Sequence, residues 1–214
     1  MMNKYGDLRQ DYSRSQLVES EVSSDPLAQF DLWFHEAIDG GVLEPNAFIL
    51  STVSVIGLPS ARVILLKGVD QKGFVFYTNY HSDKAKDLKV NPGASMVFMW
   101  LSMERQIRIT GDVSMVTREE SEAYFHSRPR ESQIGAWVSP QSDVIASRDV
   151  LDQQLLKYNQ QFEDRDVIPL PDHWGGYRLI PSEVEFWQGR PNRLHDRLLY
   201  TLHDQQWKIE RLAP

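Results

Sequence analysis

Three β-rich runs follow one another too closely in this chain for it to build a parallel sheet. Ala47 to Ile56, Ala61 to Val69 and Phe74 to Asn79 are separated only by Gly57-Leu58-Pro59-Ser60 and Asp70-Gln71-Lys72-Gly73. A parallel crossover needs about a dozen residues or more, whereas short Gly/Pro/Asp turns join antiparallel neighbours. A short helix, Ser82 to Val90, ends before Asn91-Pro92, and two more strands follow, Ala94 to Leu101 and Arg105 to Val116. The tail from Trp174 returns to strands around Tyr177, Phe186, Leu198 and Ile209. This clustering predicts a mostly β fold with flanking helices, its antiparallel sheet closed as a barrel.

The helices have their own punctuation. Asp25-Pro26 reads as an N-cap with proline in the first turn, and Leu27, Phe30, Phe34, Ala37 and Ile38 follow at helical spacing until Gly40-Gly41. Thr117-Arg118-Glu119-Glu120 is a capping box. Ser147 to Phe162 carries Val150, Leu151, Leu155 and Phe162 on one face. Residues 1–24 are polar and mixed in charge, which predicts a flexible N-terminal arm before a single domain over 25–214.

Composition narrows the function classes. A hydrophobic content of 41% supplies a core, and a net charge of −7 disfavours a broad polyanion binder, so no nucleic acid is expected. Cations still gather locally, in Lys84-Ala85-Lys86, Arg128-Pro129-Arg130 and Arg193-Leu194-His195-Asp196-Arg197, a pattern that suits a small anion. The absence of cysteine removes thiolate nucleophiles and cysteine-ligated metals, and no zinc-spaced histidines occur. No apolar run approaches the ~18 residues of a membrane span, and no secretory signal opens the chain, so a cytoplasmic location is expected.

Several constellations could carry chemistry, each beside a plainer reading. Arg193, His195 and Arg197 alternate, so in a strand they would share one face about 7 Å apart. Like charges there repel by about 2.4 kcal/mol at an effective dielectric near 20, so a cleft would demand an anion while an open surface would not. Tyr124, Arg128 and Ser132 stand at i, i+4, i+8, offering the donors a phosphate monoester wants, although Pro129 interrupts the line and the pattern alone favours a surface helix with an ordinary arginine. Arg62 and Lys67 bracket Val63, Ile64, Leu65 and Leu66. Strict alternation puts the two cations on opposite faces, so they would not share one phosphate unless a bulge intervenes. Gln106, Arg108 and Thr110 alternate with Ile107 and Ile109, either as a solvated face or as partners for a flavin ring. Trp187 and Gln141-Ser142 are weaker signals.

Together these segments resemble the pyridoxamine 5′-phosphate oxidase family from about Asp25 to Pro214, with a fainter likeness at Leu8-Arg9-Gln10-Asp11-Tyr12. The motifs are Arg62 to Lys67, Tyr124-Phe125-His126-Ser127-Arg128-Pro129-Arg130, Ser132-Gln133-Ile134-Gly135-Ala136-Trp137, Glu185-Phe186-Trp187-Gln188-Gly189, Asn192 to Arg197 and Glu210 to Pro214. The resemblance implies a split β-barrel that binds flavin mononucleotide (FMN) and works as a homodimer with the flavin at the interface. It assigns Arg62, Val63, Ile64, Leu65, Leu66, Lys67, Tyr77, Thr78, Lys84, Gln106, Gln141, Ser142, Trp187 and Arg197 to the flavin. It gives Lys67, Tyr124, Arg128 and Ser132 to the substrate phosphate, Arg193, Leu194 and His195 to the pyridine ring, and Arg9, Gln10, Asp11 and Tyr12 to a segment folding over the substrate. Arg193 and His195 would be the catalytic pair. The implied reaction moves a hydride equivalent from C4′ of pyridoxamine or pyridoxine 5′-phosphate to the flavin. Oxygen then restores the flavin with release of hydrogen peroxide, and the amine substrate also releases ammonia as pyridoxal 5′-phosphate forms. One departure stands out: Asp83 occupies a position where the family pattern has an arginine. A different split-barrel flavin reductase, or a protein that stores flavin or pyridoxal phosphate without turnover, would share many of these features.

Overall fold

The computed structural model describes residues 11–214. The chain runs α1 (Pro26–Asp39), β1 (Ala47–Val53), β2 (Pro59–Leu65), β3 (Gly68–Asp70), β4 (Gly73–Asn79), α2 (Asp83–Val90), β5 (Gly93–Trp100) and β6 (Arg105–Met115). It continues through α3 (Arg118–Ser127), α4 (Arg130–Val138), α5 (Asp149–Gln161), β7 (Trp174–Gln188), β8 (Asp196–His203) and β9 (Gln206–Arg211). All pairings are antiparallel, in the order β2-β1-β5-β6-β7-β4-β3, with β8 attached to β7 and β9 to β8.

β7 is the strand on which the two halves meet. Its first part pairs with β4 (Trp174 to Leu179) and its last part with β8 (Glu183 to Gln188), while β6 runs beside both. The ladder shifts at Thr110/Gly111, opposite Pro181 and Ser182. Proline cannot donate to a ladder, so Pro181 falls where the pairing breaks, and the Ser182 hydroxyl donates to Thr110 O at 3.2 Å. Gly111 is forced by proximity, because a Cβ there would lie 2.0 Å from Ile180 O.

The sheet curls, and its two end strands, β2 and β3, are joined through Leu66-Lys67. Leu66 N donates to Asn46 O at 2.8 Å and Lys67 N to Val75 O at 2.9 Å, so this dipeptide bridges the split. Inside lie Phe30, Phe48, Phe74, Phe76, Phe98, Trp100, Phe186 and Tyr200, all essentially buried. A smaller core under α3–α5 gathers Phe125, Ile134, Phe162, Ile168, Leu170 and Trp174.

The capping signals match the helix starts: Asp25 Oδ1 accepts from Leu27 N and Thr117 Oγ1 from Glu120 N. The expected helix faces need correction. α1 buries Phe30, Trp33 and Ala37, while Ile38 is 50% exposed, so its inward face is turned by about one residue. α5 buries none of its own residues, and Phe162 is buried just beyond its end. The expected free arm also differs over its described part. Leu17 is buried, its N–H donates to Asp196 Oδ2, and Arg211 holds Leu17 O and the Glu19 carboxylate. Polar composition hides this packing because charged pairs and main-chain bonds carry most of it.

Changing Gly111→Ala should destabilise the fold by about 1–3 kcal/mol, the usual range for overpacking, because the clash is with backbone. Denaturant melts of both proteins would measure it, and an unchanged midpoint would show that β6 and β7 can separate there at no cost.

Candidate active site

Two adjoining clefts open beside the split. The smaller, about 350 Å³, is lined by Arg62, Val63, Ile64, Tyr77, Thr78, Lys84, Gln141 and Ser142. The larger, about 550 Å³, takes Leu65, Lys67, Tyr124, Arg128, Ser132 and Trp174, and shares Ile64, Tyr77, Thr78 and Gln141 with the first. Arg62 and Lys67 therefore serve different clefts: β2 ends at Leu65, and the crossing at Leu66-Lys67 delivers Lys67 to the second. Leu66 itself is buried and packs in the core.

The first cleft is a cation pair held by local bonds. Arg62 sits on β2 and donates to Leu50 O (3.2 Å), Thr52 Oγ1 (2.7 Å) and Ser60 Oγ (2.8 Å). Thr52, fully buried, donates its own hydroxyl hydrogen bond to Asp87 Oδ2 at 2.7 Å. Lys84, in the first turn of α2, is buried, and its pKa is pushed down by burial and then by the Arg62 charge. The Asp83 charge offsets this only in part, and Lys84 forms no ion pair among the described residues. Gln141 Oε1 accepts from Thr78 Oγ1 (3.0 Å) and Asn79 N (3.3 Å), and Ser142 Oγ accepts from Asp83 N (3.2 Å), so the 141–142 loop belongs to this cleft within one chain. Asp83 is exposed and pairs with Lys86 at 3.1 Å.

The second cleft holds an unsatisfied guanidinium. Arg128 Nη1 is buried with no hydrogen-bond partner, and no acidic side chain pairs with Arg128 among the described residues. Burial lowers its pKa. A buried charge without a partner is expensive, so the cleft is built for an anion. The break at Pro129 bends the line of Tyr124, Arg128 and Ser132 between α3 and α4, yet all three still reach the cleft. Tyr77 stacks on Tyr124 with centroids 3.9 Å apart, and burial pushes its phenol up to about 12.

The remaining predicted residues stand elsewhere. Gln106, Trp187 and Arg197 face one another in register across β6, β7 and β8. Tyr12 packs edge-on against Trp187 at 5.9 Å, and His195 lies 4.6 Å from the same ring. Arg197 donates through Nε to the buried Glu185 carboxylate at 2.7 Å, which raises its pKa, while Arg108 contacts the other oxygen of Glu185 at 3.0 Å. Arg193 and His195 do not continue a strand, a correction to the alternation argument. Pro191–Arg193 forms a tight turn with Asn192 and Arg193 at positive φ, Leu194 and His195 follow it, and β8 begins only at Asp196. His195 Nδ1 accepts from Arg190 N at 3.1 Å, so the neutral ring carries its hydrogen on Nε2. Asp11 is exposed, and Arg9 and Gln10 lie outside the described residues. Neither of the two clefts takes Gln106, Trp187, Arg193, His195 or Arg197.

Sequence reasoning passed over Trp174 and Glu185. A signal for the first was Trp174-Gly175-Gly176, since a Cβ on Gly176 would lie 2.7 Å from Tyr77 Cε1. Gly176 lets Tyr77 lie flat against β7, and Gly175 makes room for the Tyr80 hydroxyl.

Comparison with known proteins decides the family. The family model described as pyridoxamine 5′-phosphate oxidase matches residues 34–162, and that of the pyridoxine 5′-phosphate oxidase C-terminal dimerisation region matches 174–214. The chain belongs to the pyridoxamine 5′-phosphate oxidase family. It is 54% identical to a pyridoxine/pyridoxamine 5′-phosphate oxidase of Salinibacter ruber over the whole of both chains. It is 54% identical to one of Acaryochloris marina, covering 97% of this chain and 94% of that one. Among solved structures, PhzG of Burkholderia lata, in complex with tetrahydrophenazine-1-carboxylic acid, superposes with a TM-score of 0.88 at 28% identity, covering 94% of this chain and 100% of that one. A pyridoxamine 5′-phosphate oxidase-related, FMN-binding protein of Nostoc punctiforme shares the fold, with a TM-score of 0.72 at 19% identity, over 90% of this chain and 100% of that one. Among the described residues no helix is long and apolar enough to cross a membrane, and no His/Cys/Asp/Glu cluster could hold a metal.

The Tyr77 phenol generates a pH prediction. Its folded pKa, about 12, lies above the free value of about 10, so its contribution to stability is complete below pH ~10 and is lost as pH rises toward 12. Denaturant melts across that range should show a shallower fall for Tyr77→Phe than for the unmodified protein. Parallel curves would place the phenol in water.

Proposed function

We propose that this chain is an FMN-dependent oxidase that converts pyridoxamine or pyridoxine 5′-phosphate to pyridoxal 5′-phosphate in vitamin B6 metabolism. Oxygen takes the electron pair and leaves as hydrogen peroxide; the amine substrate also takes up water and releases ammonia. The observation that carries this reading is the buried, unpaired Arg128 in a cleft adjoining a second cationic cradle, Arg62 with Lys84. Two separate anion sites with shared walls suit two phosphate esters, one on a cofactor and one on a substrate.

The residues fit FMN. Arg62, Lys84, Thr78 and Ser142 form a donor set for its phosphate, and Gln106, Trp187 and Arg197 form an amide, aromatic and guanidinium row for a flavin ring. What the chain lacks is an electron acceptor, the chemistry that FMN supplies when bound. Lys67, Tyr124, Arg128 and Ser132 bind and orient the substrate phosphate, which places the far end of the pyridine without any covalent step. His195, its Nδ1 engaged by Arg190 N, presents a fixed Nε2–H donor, and Arg193 stands on the strained turn beside it. The two residue groups lie apart in one chain, and the C-terminal match is to a dimerisation region, which supports a homodimer in which each subunit supplies one group to a shared site.

Anaerobic addition of pyridoxamine 5′-phosphate to the yellow protein tests the reading. Rapid bleaching of the flavin is expected, and a spectrum that stays oxidised would leave a storage role instead. Asp83 tests the cradle. It stands at the start of α2 beside Lys84, and its charge acts on both Arg62 and Lys84. Asp83→Arg should tighten FMN by about 1–3 kcal/mol while barely changing riboflavin, which lacks the phosphate. Equal gains for both ligands in a fluorescence titration would place residue 83 away from the phosphate.

A further inference from the structure

We infer that Trp174 is the positioning residue that holds the Arg128 guanidinium in the cleft, and thereby sets the preference for phosphorylated over unphosphorylated pyridine ligands. The inference rests on the substrate-phosphate role proposed above for Arg128.

Arg128 has none of the usual anchors of a buried guanidinium. Its Nη1 has no partner, and no carboxylate pairs with it among the described residues. A long cationic side chain in that position is drawn to turn outward to water. What faces it is aromatic: its Cζ lies 4.7 Å from the centroid of the Trp174 ring and 5.8 Å from that of Phe125. The negative face of an indole is the best such surface a protein offers a cation, and its attraction grows as water is excluded. Unlike a carboxylate, it leaves the guanidinium N–H groups free. Trp174 thus retains the charge without occupying the donors that a phosphate needs.

Trp174 is itself fixed. It is 8% exposed, stacks nearly parallel to Tyr77 (5.5 Å, 12°) and Tyr124 (6.2 Å, 8°), and meets Phe125 edge-on at 5.4 Å. The same ring therefore bears on two of the phosphate donors, Arg128 and the Tyr124 phenol. Neither Arg62 nor Lys84 shares a cleft with it.

The test uses the FMN-loaded protein and equilibrium titration calorimetry with pyridoxal 5′-phosphate and with pyridoxal, so that no turnover is needed. Three forms are compared with the unmodified protein: Trp174→Leu, Trp174→Phe, and a form with tetrafluorotryptophan incorporated at position 174, which keeps the indole's shape but removes the negative potential of its face. Pyridoxal 5′-phosphate should bind about 10-fold more weakly to the Leu form, in the range expected for a desolvated cation–π contact, with the other two forms intermediate. Affinity for pyridoxal and for FMN should stay unchanged. Equal weakening of both pyridine ligands would mean that Trp174 only supports the fold, and the inference fails. Undiminished phosphate affinity in the fluorinated form also overturns it, and because that form is close to isosteric it decides the matter even if the Leu form does not fold. An unmodified protein that binds the two ligands equally would overturn the substrate-phosphate reading, and the inference with it.

Discussion

A strand that pairs with two halves of a protein has to release one set of partners before taking the next, and in β7 that exchange occurs at Pro181-Ser182. The proline has no N–H to give, the extra residue shifts the register, and Gly111 on β6 makes room for the carbonyl that is pushed toward it. N-terminal to the break, β7 holds β4 and begins with Trp174 in the larger cleft. C-terminal to it, β7 holds β8 and carries Glu185 and Trp187. β7 thus runs from Trp174, beside the larger cleft, to Glu185 and Trp187 of the second group, with its irregularity between them.

Charge compensation divides the arginines into two kinds. Arg197 is tied to the buried Glu185, and Arg178 to Asp70 and Glu120, so these cations have local counter-charges. Arg128 has aromatic faces instead, and Lys84 stands beside another cation. Arg178 and Arg197 come with local carboxylates, whereas Arg128 and Lys84 form no ion pair among the described residues. Between Arg128 and Arg178 this contrast discriminates better than exposure does, since both are only part-exposed.

Much of the sheet was legible in the sequence because turn chemistry is local. Gly-Pro and Asp-Gly segments bounded the first strands, and the capping residues marked the starts of α1 and α3. The helix faces were less legible: Ile38 and Leu155 fit an apolar spacing, yet tertiary packing turned them outward and buried Trp33 instead. The Arg193/His195/Arg197 alternation misled because it presumed extended backbone where Pro191 starts a turn. Spacing alone also left Arg128 indistinguishable from a surface arginine. Its role emerged from resemblance, and its lack of a partner only from three dimensions. That Gln106, Trp187 and Arg197 form a row was beyond reach, since register between distant strands is not written in either strand alone.

Half of the dipeptide that joins the end strands is also a wall of the larger cleft. Leu66 and Lys67 are held by main-chain bonds to Asn46 on one side and Val75 on the other, and Lys67 lines that cleft. Whatever occupies that cleft therefore presses on the seam between the first and last strands of the curl. Ligand affinity and the cohesion of the seam are then thermodynamically linked quantities: a ligand that binds only the closed form stabilises the closure by the free energy of its own binding. For such a ligand the seam is weakest in the empty protein and strongest at saturation, and the ligand is part of the architecture for as long as it stays bound.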